Sequence, residues 1–258
     1  MRRFKQISII ILTFFLIFIN MQANAAAKFV TKEFSVIAED GFNIKANLMM
    51  PNNKMQKEFN TVVLIHGLGF NSQWWEGLEN ELAELNYAVL SIDMRGHGES
   101  VYNKRMNKAS WVNMKNSAFQ KIPNDISKVI TTIKEEYPKR NYFNNWTLVG
   151  VDLGANVGII ASDKMKITPK TVIMISPIIE TRDVYVPTSI AHLDGVDFLA
   201  ISSISDIKSQ DASKYLRRFA QNNYTDYISK TNSSGMVMLK NDPDIKGIIK
   251  EWIVQYLN

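Results

Sequence analysis

The amino-acid sequence predicts one α/β domain with a mostly parallel central sheet and helices on both of its faces. Short apolar runs without polar alternation, typical of strands buried on both faces, alternate with segments whose apolar residues recur at helical spacing. A strand, a sharp turn and a helix also meet around Gly150-Val151-Asp152-Leu153-Gly154. Alternating strands and helices favour a parallel sheet with right-handed crossovers.

The N-terminal segment has the three-part pattern of a secretory signal peptide. Basic residues stand among the first five, residues 7–19 are largely apolar, and Ala23-Asn24-Ala25 supplies the small residues of a cleavage site. The apolar run is shorter than the roughly 20 residues that span a bilayer, so we favour cleavage over a retained anchor. We therefore expect residues 1–25 to be removed, leaving an exported domain of residues 26–258, periplasmic or secreted, with no stable membrane span.

Composition narrows the classes of protein that this chain can belong to. The 258 residues include no cysteine, which rules out disulfides and a lipid-modified cysteine. The formal net charge of +5 includes the basic residues of the predicted leader. The other lysines and arginines are dispersed among acids and form no arginine-rich stripe, which argues against a nucleic-acid partner.

Elements can be assigned in order along the chain. Two strand-like segments between Phe34 and Met49 flank Glu39-Asp40-Gly41, and Asp-Gly in that setting indicates a hairpin. Buried strands are predicted at 61–65, 87–92, 146–149, 171–175 and 197–202, and helices at 76–85, 123–133, 155–160 and 243–257. No insertion between the strands is long enough for a separate lid domain, so we expect an open site.

The glycine-bracketed turn is the context in which a G-x-S-x-G motif presents a nucleophile, but here Asp152 stands in the middle. Gly150 and Gly154 would let strand and helix approach closely, while the central residue adopts a strained backbone. A structural alternative exists, because an acid at a helix N-terminus is stabilised by roughly 0.3–1 kcal/mol. The turn, called the elbow below, predicts a site around Asp152 at the carboxyl end of a central strand.

Further motifs accompany the elbow in a recognisable order. They are His66-Gly67 after a strand, Asp93-x-Arg95-Gly96-His97-Gly98-Glu99-Ser100, Ile175-Ser176-Pro177, Ser202-Ser203-Ile204-Ser205-Asp206 and Gly235-x-x-Met238-Leu239. In this order and spacing the chain resembles the α/β-hydrolases. Within that superfamily it is similar to the serine-aminopeptidase-like and dienelactone-hydrolase-like esterases, and the similarity extends over nearly all of residues 26–258.

The resemblance assigns functional positions. The nucleophile position falls on Asp152, where most relatives have Ser, and the triad acid falls on Asp206. The general base, a His before Gly in these relatives, falls on Ser234. The oxyanion hole would be formed by the backbone amides of Leu68 and Leu153, which side-chain replacement should leave available. Two of the three triad positions therefore carry altered residues.

The chain has three histidines, each a possible base. His66, beside Gly67, and His97 both lie in turns, and we expect them to order backbone groups rather than take protons. His192 precedes a predicted strand. An elbow Asp also resembles that of dehalogenases and epoxide hydrolases, in which the carboxylate attacks an alkyl carbon and a His then activates water. Asp206 has its own structural alternative as a turn or helix-capping residue.

Three hypotheses remain open from the sequence. The chain is a hydrolase-fold protein with a degenerate triad that binds a small-molecule ligand or a protein partner at the elbow pocket. Alternatively, it is an active ester, epoxide or haloalkane hydrolase that uses Asp152 as nucleophile or general base, which a His ring beside Asp152 would favour. Third, it interacts through its surface and the pocket has no role. None of these requires a cofactor or a metal ion.

Overall fold

The computed structural model describes residues 28–53 and 55–257 of the chain. The predicted signal peptide, residues 1–25, lies outside the described residues, so its cleavage stays a prediction. No helix within the described ranges combines the length and the apolar character needed to cross a bilayer.

The fold is built on an eight-stranded sheet with strand order β1-β2-β4-β3-β5-β6-β9-β10. The strands are β1 (Phe29–Ile37), β2 (Asn43–Pro51), β3 (Glu58–Ile65), β4 (Ala88–Ile92), β5 (Asn141–Val151), β6 (Thr171–Ile175), β9 (Asp197–Ser203) and β10 (Tyr224–Ser229), while β7 (Glu180–Thr181) and β8 (Val184–Tyr185) form a small separate hairpin. Strand β2 pairs antiparallel with β1 and β4, and every other pairing in the large sheet is parallel. The predicted hairpin and the mostly parallel sheet are both confirmed.

Helices cover both faces of this sheet. They are α1 (Leu78–Glu84), α2 (Asn116–Phe119), α3 (Ile122–Glu136), α4 (Leu153–Asp163), α5 (Pro187–His192), α6 (Ile207–Leu216), α7 (Val237–Asn241) and α8 (Asp244–Leu257). Apolar residues of α3 and α4 pack in one hydrophobic cluster, and those of α1 and α8 pack in a second. Strand β3 contributes to both, since Val63 and Ile65 belong to the first cluster and Val62 and Leu64 to the second. This two-sided burial explains its uninterrupted apolar sequence.

Strand β10 and helix α6 are among the elements that the sequence did not predict. Strand β10 has one neighbour in the sheet, β9, and its polar residues Thr225 and Asp226 are exposed. An edge strand of this kind lacks the apolar run of a central strand, so only its pairing with β9 identifies it. Helix α6 follows β9 directly, and Asp206 caps its N-terminus. In the described part of the chain no segment forms a separate lid domain, as predicted.

Candidate functional site

The elbow joins β5 to α4 near the centre of the sheet. Asp152 has φ 41° and ψ −113°, a sparsely populated conformation for a residue with a side chain. A Cβ atom at Gly150 would lie 2.4 Å from Ala155 Cα, and one at Gly154 would lie 2.2 Å from the His66 carbonyl oxygen. Both positions therefore require glycine, and the tight approach of α4 to β3 and β5 holds Asp152 in its strained turn.

The Asp152 carboxylate turns back over the N-terminus of its own helix. Its Oδ1 atom accepts a hydrogen bond from the Leu68 amide at 2.9 Å and another from the Leu153 amide. These are the two amides that the resemblance assigned to an oxyanion hole. The expectation that they stay available is wrong, because the short Asp side chain reaches both donors and occupies the place between them.

The second carboxylate oxygen, Oδ2, faces the backbone of two glycines. A Cβ atom at Gly67 would lie 2.5 Å from Oδ2, and one at Gly235 would lie 3.8 Å from it. No hydrogen bond to Oδ2 is formed within residues 28–53 and 55–257. Burial raises the pKa of Asp152 to about 6, and the hydrogen bonds from Leu68 and Leu153 offset this only in part.

His66 orders the loop that carries the Leu68 amide. Its Nε2 accepts a hydrogen bond from the Met94 amide at 3.0 Å, so Nδ1 carries the proton and donates to the Gly67 carbonyl at 2.8 Å. The ring is completely buried. Burial, with a smaller contribution from His97, lowers the pKa of His66 to about 4, which keeps it neutral. Through these two hydrogen bonds the ring links the Gly67 loop to Met94.

The other two histidines also have partners away from the elbow. His97 Nε2 accepts from the Gly69 amide at 3.1 Å and Nδ1 lies 3.0 Å from the Arg95 carbonyl, while burial lowers its pKa. His192, at the end of α5, is exposed and lies 3.2 Å from Asp163. All three histidines belong to the described residues, and none of their ring nitrogens is hydrogen-bonded to Asp152.

The loops of Asp206 and Ser234 lie beside one another. The Ser205 hydroxyl donates to the Asn232 carbonyl at 2.9 Å, which ties the two loops together. Asp206 caps α6 by accepting a hydrogen bond from the Ser209 amide at 3.1 Å, which is a helix-capping role. The Ser234 side chain is exposed. Within the described ranges no hydrogen bond joins the Asp206 side chain to Ser234 or to Asp152.

Ser176 belongs to the Ile175-Ser176-Pro177 motif, but the sequence assigned it no role in the site. It follows β6 with φ 48°, is buried, and accepts a hydrogen bond from the Gly235 amide at 2.8 Å. Ile175 precedes Ser176 in the chain, and its carbonyl accepts a hydrogen bond from the Asp152 amide at 2.9 Å. Ser176 thus holds Gly235 against the elbow. Its signals in the sequence were the Ser-Pro pair after a buried strand and the place of this motif in the resemblance.

Apolar side chains border the oxyanion loop. The Phe70 amide donates to the Gly67 carbonyl at 3.2 Å, which closes a tight turn with Gly69 at φ 84°. Trp111 lies across this turn, 3.1 Å from where a Gly69 Cβ would be, and stacks on His97 with ring centroids 5.6 Å apart. Val112, next in the chain, is 61% exposed. We call Leu68, Phe70 and Trp111 the apolar rim.

Beneath the rim, buried charges are matched by partners. Arg95 binds Asp125 through two hydrogen bonds of 2.6 Å and also pairs with Asp40 at 2.8 Å. Asp93 accepts from the Ser72 amide at 2.7 Å with one oxygen and from the Glu99 amide at 2.8 Å with the other. These contacts hold the 93–100 turn and, through it, His97. Asp152 differs because one of its oxygens has no hydrogen-bond partner among the residues that the structure describes.

Solved structures of esterases share the fold. The chain superposes on an esterase from Exiguobacterium antarcticum with a TM-score of 0.61 and 15% identity over 86% of this chain and 99% of that one. It superposes on a dienelactone hydrolase from Anabaena variabilis with a TM-score of 0.67 and 14% identity over 90% and 100% of the two chains. It superposes on a carboxyl esterase from Bacillus coagulans with a TM-score of 0.64 and 12% identity over 90% of this chain and 99% of that one.

No curated protein sequence matches the chain significantly. The family comparison is more informative, since residues 56–255 match the serine aminopeptidase S33 family. That match covers most of the chain and includes the His66 loop, the elbow and the Ser234 loop. With its mostly parallel sheet and central elbow, the chain belongs to the serine aminopeptidase S33 family of the α/β-hydrolase superfamily.

Proposed function

We propose that this protein is a hydrolase-fold protein with a degenerate triad, which binds a small-molecule ligand at the elbow and lacks ordinary serine-esterase turnover. One observation carries the proposal. Asp152 Oδ1 accepts hydrogen bonds from Leu68 and Leu153, the two amides that would have to stabilise an oxyanion. The place of the oxyanion is thus taken by the side chain of Asp152, the residue at the nucleophile position.

Serine-type acyl transfer requires a hydroxyl nucleophile, a base that takes its proton, and free donors for the tetrahedral anion. Asp152 has no hydroxyl, and Ser234 cannot act as the imidazole base. The donors are engaged by a carboxylate, whose negative charge would repel a developing oxyanion in a site that excludes much of the water. All three requirements are therefore unmet.

The energetics of Asp152 support a role for it in binding. Its strained backbone costs about 1–3 kcal/mol, and burial raises its pKa, which means that the ionised form destabilises the fold. Residues that lower stability are commonly retained where function needs them. The leader predicted for residues 1–25 adds the proposal that this binding takes place outside the cytoplasm.

A second candidate function is an Asp-dependent hydrolase. The raised pKa of about 6 for Asp152 and its free Oδ2 atom favour it, since a general base works best with a pKa near the working pH. A covalent ester at Asp152 would, however, need an activated water. The histidines that could activate it are bound to Met94, Gly69 and Asp163 instead.

Turnover and labelling separate the two functions. The purified protein is incubated with short-chain p-nitrophenyl esters and with 1-haloalkanes, and its mass is then measured for an adduct on Asp152. We expect no turnover, no adduct and no labelling by a fluorophosphonate probe. Ester or haloalkane hydrolysis that Asp152→Asn abolishes and Asp211→Asn, a change in an exposed pair, leaves intact would overturn the degenerate triad.

A further inference from the structure

The free oxygen of Asp152 points to the chemistry of the missing partner. Burying an ionised carboxylate is unfavourable unless it is paired or fully hydrogen-bonded. Asp125 meets this condition through Arg95, and Asp93 meets it with one amide on each oxygen. In Asp152, the Leu68 and Leu153 amides both donate to Oδ1, and no charged side chain contributes to the pKa of this carboxyl. Within the described residues its negative charge has no counter-charge.

The described groups that lie next to Oδ2 supply no hydrogen-bond donor to it. Gly67 and Gly235 present only backbone to this oxygen, and a side chain at Gly67 would collide with it. Asp152 itself is partly exposed, and the exposed Ser234 adjoins Gly235. A ligand group bound to Oδ2 would therefore displace no described protein donor.

The sign of the charge decides what can bind. An anionic ligand, or a carbonyl that seeks the Leu68 and Leu153 amides, meets a carboxylate in their place. A neutral donor would satisfy Oδ2, but a hydrogen bond between ionised groups is roughly twice as strong as a neutral one. The N-terminus of α4 opposes a cation only weakly, because its first amide already donates to Oδ1.

We propose that the elbow binds an organic cation, with an ammonium group donating to Asp152 Oδ2 and an apolar portion against the apolar rim. The proposal rests on the binding role proposed above and names its ligand class. Leu68 links the two parts of the site, since its amide holds Oδ1 while its side chain belongs to the rim. Trp111 contributes apolar surface beside the adjoining Gly69.

The test compares three ligands of one shape and different charge: 2-phenylethylammonium, 2-phenylethanol and phenylacetate. Isothermal titration calorimetry at pH 7.5 should give the ammonium an affinity about tenfold or more above that of the alcohol. Phenylacetate should bind more weakly than either. Asp152→Asn should remove the preference for the ammonium and leave the alcohol unchanged, whereas Asp211→Asn should bind all three like the unmodified protein.

A second readout tests the contact itself. Saturation with 2-phenylethylammonium should lower the pKa of the Asp152 carboxyl, followed by carbon NMR, because the bound cation favours the ionised form. Equal affinity for the ammonium and phenylacetate, no ammonium binding at millimolar concentration, or ammonium binding unaffected by Asp152→Asn would each overturn the proposal. If the protein hydrolyses esters and still prefers the ammonium, only the proposal of a degenerate triad is overturned. If it hydrolyses no ester and shows no preference for the ammonium, only the proposed ligand class is overturned.

Discussion

The Leu68 amide donates a hydrogen bond of 2.9 Å to Asp152 Oδ1 across 84 positions of the sequence. This contact joins the loop after β3 to the elbow after β5, two neighbouring strands of the sheet. The same geometry in an active relative would present the amide to a substrate oxyanion. Here it binds a protein carboxylate instead.

Asp152→Asn should stabilise the protein at neutral pH. The raised pKa of about 6, against an ordinary value of 3.8, means that the folded state binds the proton more tightly than the unfolded state. Stability is therefore lost as pH rises from about 4 to 6, and the loss persists above pH 6. Asn keeps an acceptor for both amides without the charge. We expect a gain of up to about 3 kcal/mol in the free energy of unfolding at pH 7.5.

Urea denaturation of both proteins between pH 4 and 8 measures this difference. The gain should largely vanish near pH 4, where Asp152 is protonated in the folded state and only about half ionised in the unfolded state. His66 acts in the opposite sense, because its lowered pKa of about 4 removes stability as pH falls from 6.5 towards 4. That loss is common to the two proteins, so the variant should decline more steeply with acid. Parallel stability curves would contradict the assignment of a buried, unpaired carboxylate.

Gly154→Ala should disrupt the elbow. The added methyl group would lie 2.2 Å from the His66 carbonyl oxygen, and both atoms are held by backbone. We expect a loss of about 3 kcal/mol or more, at or beyond the upper end of ordinary overpacking. Gly247→Ala in α8 is the matched control, since a Cβ there meets nothing within 4 Å. It should gain up to about 1 kcal/mol from helix propensity, and similar thermal melting of the two variants would refute the close approach.

Asp152→Ser combined with Ser234→His should create measurable esterase activity. The first change frees the Leu68 and Leu153 amides and supplies a hydroxyl, and the second places an imidazole next to Gly235, which adjoins the elbow. Either single variant should show far less turnover of p-nitrophenyl acetate, because nucleophile and base act as a unit. A double variant no better than Asp152→Ser would mean that Ser234 is not the base position or that Asp206 cannot orient the new imidazole.

Asp125→Asn should destabilise the protein strongly. It removes the partner of Arg95 from a buried pair with two hydrogen bonds of 2.6 Å, and leaves the guanidinium with the partly exposed Asp40. Breaking such a pair on one side costs about 3–5 kcal/mol. The exposed pair of Asp211 with Lys214 provides the comparison, and Asp211→Asn should change stability by less than about 1 kcal/mol. Equal effects in chemical denaturation would argue against a structural role for the buried pair.

The sequence by itself determined the architecture and the position of the elbow. Residues 62–65 of β3 are apolar without interruption because both faces of the strand are covered, and that property is local to the strand. Gly150 and Gly154 identified the close approach of helix and strand in the same way. Strand β10 escaped prediction because an edge strand with exposed polar residues depends on its neighbour β9 for definition.

Only the tertiary structure decided the state of the candidate site. The Leu68 and Leu153 amides bind Asp152 because the loops after β3 and β5 meet in the folded chain. The spacing of residues along the sequence does not encode the distance between those loops. The roles of His66 and His97 likewise follow from the backbone groups that reach their rings from Met94 and Gly69. The periodicity of apolar residues along the chain encodes helices and strands. Which groups form hydrogen bonds and which charges are buried depends on contacts between residues distant in sequence, and these contacts form only when the chain has folded.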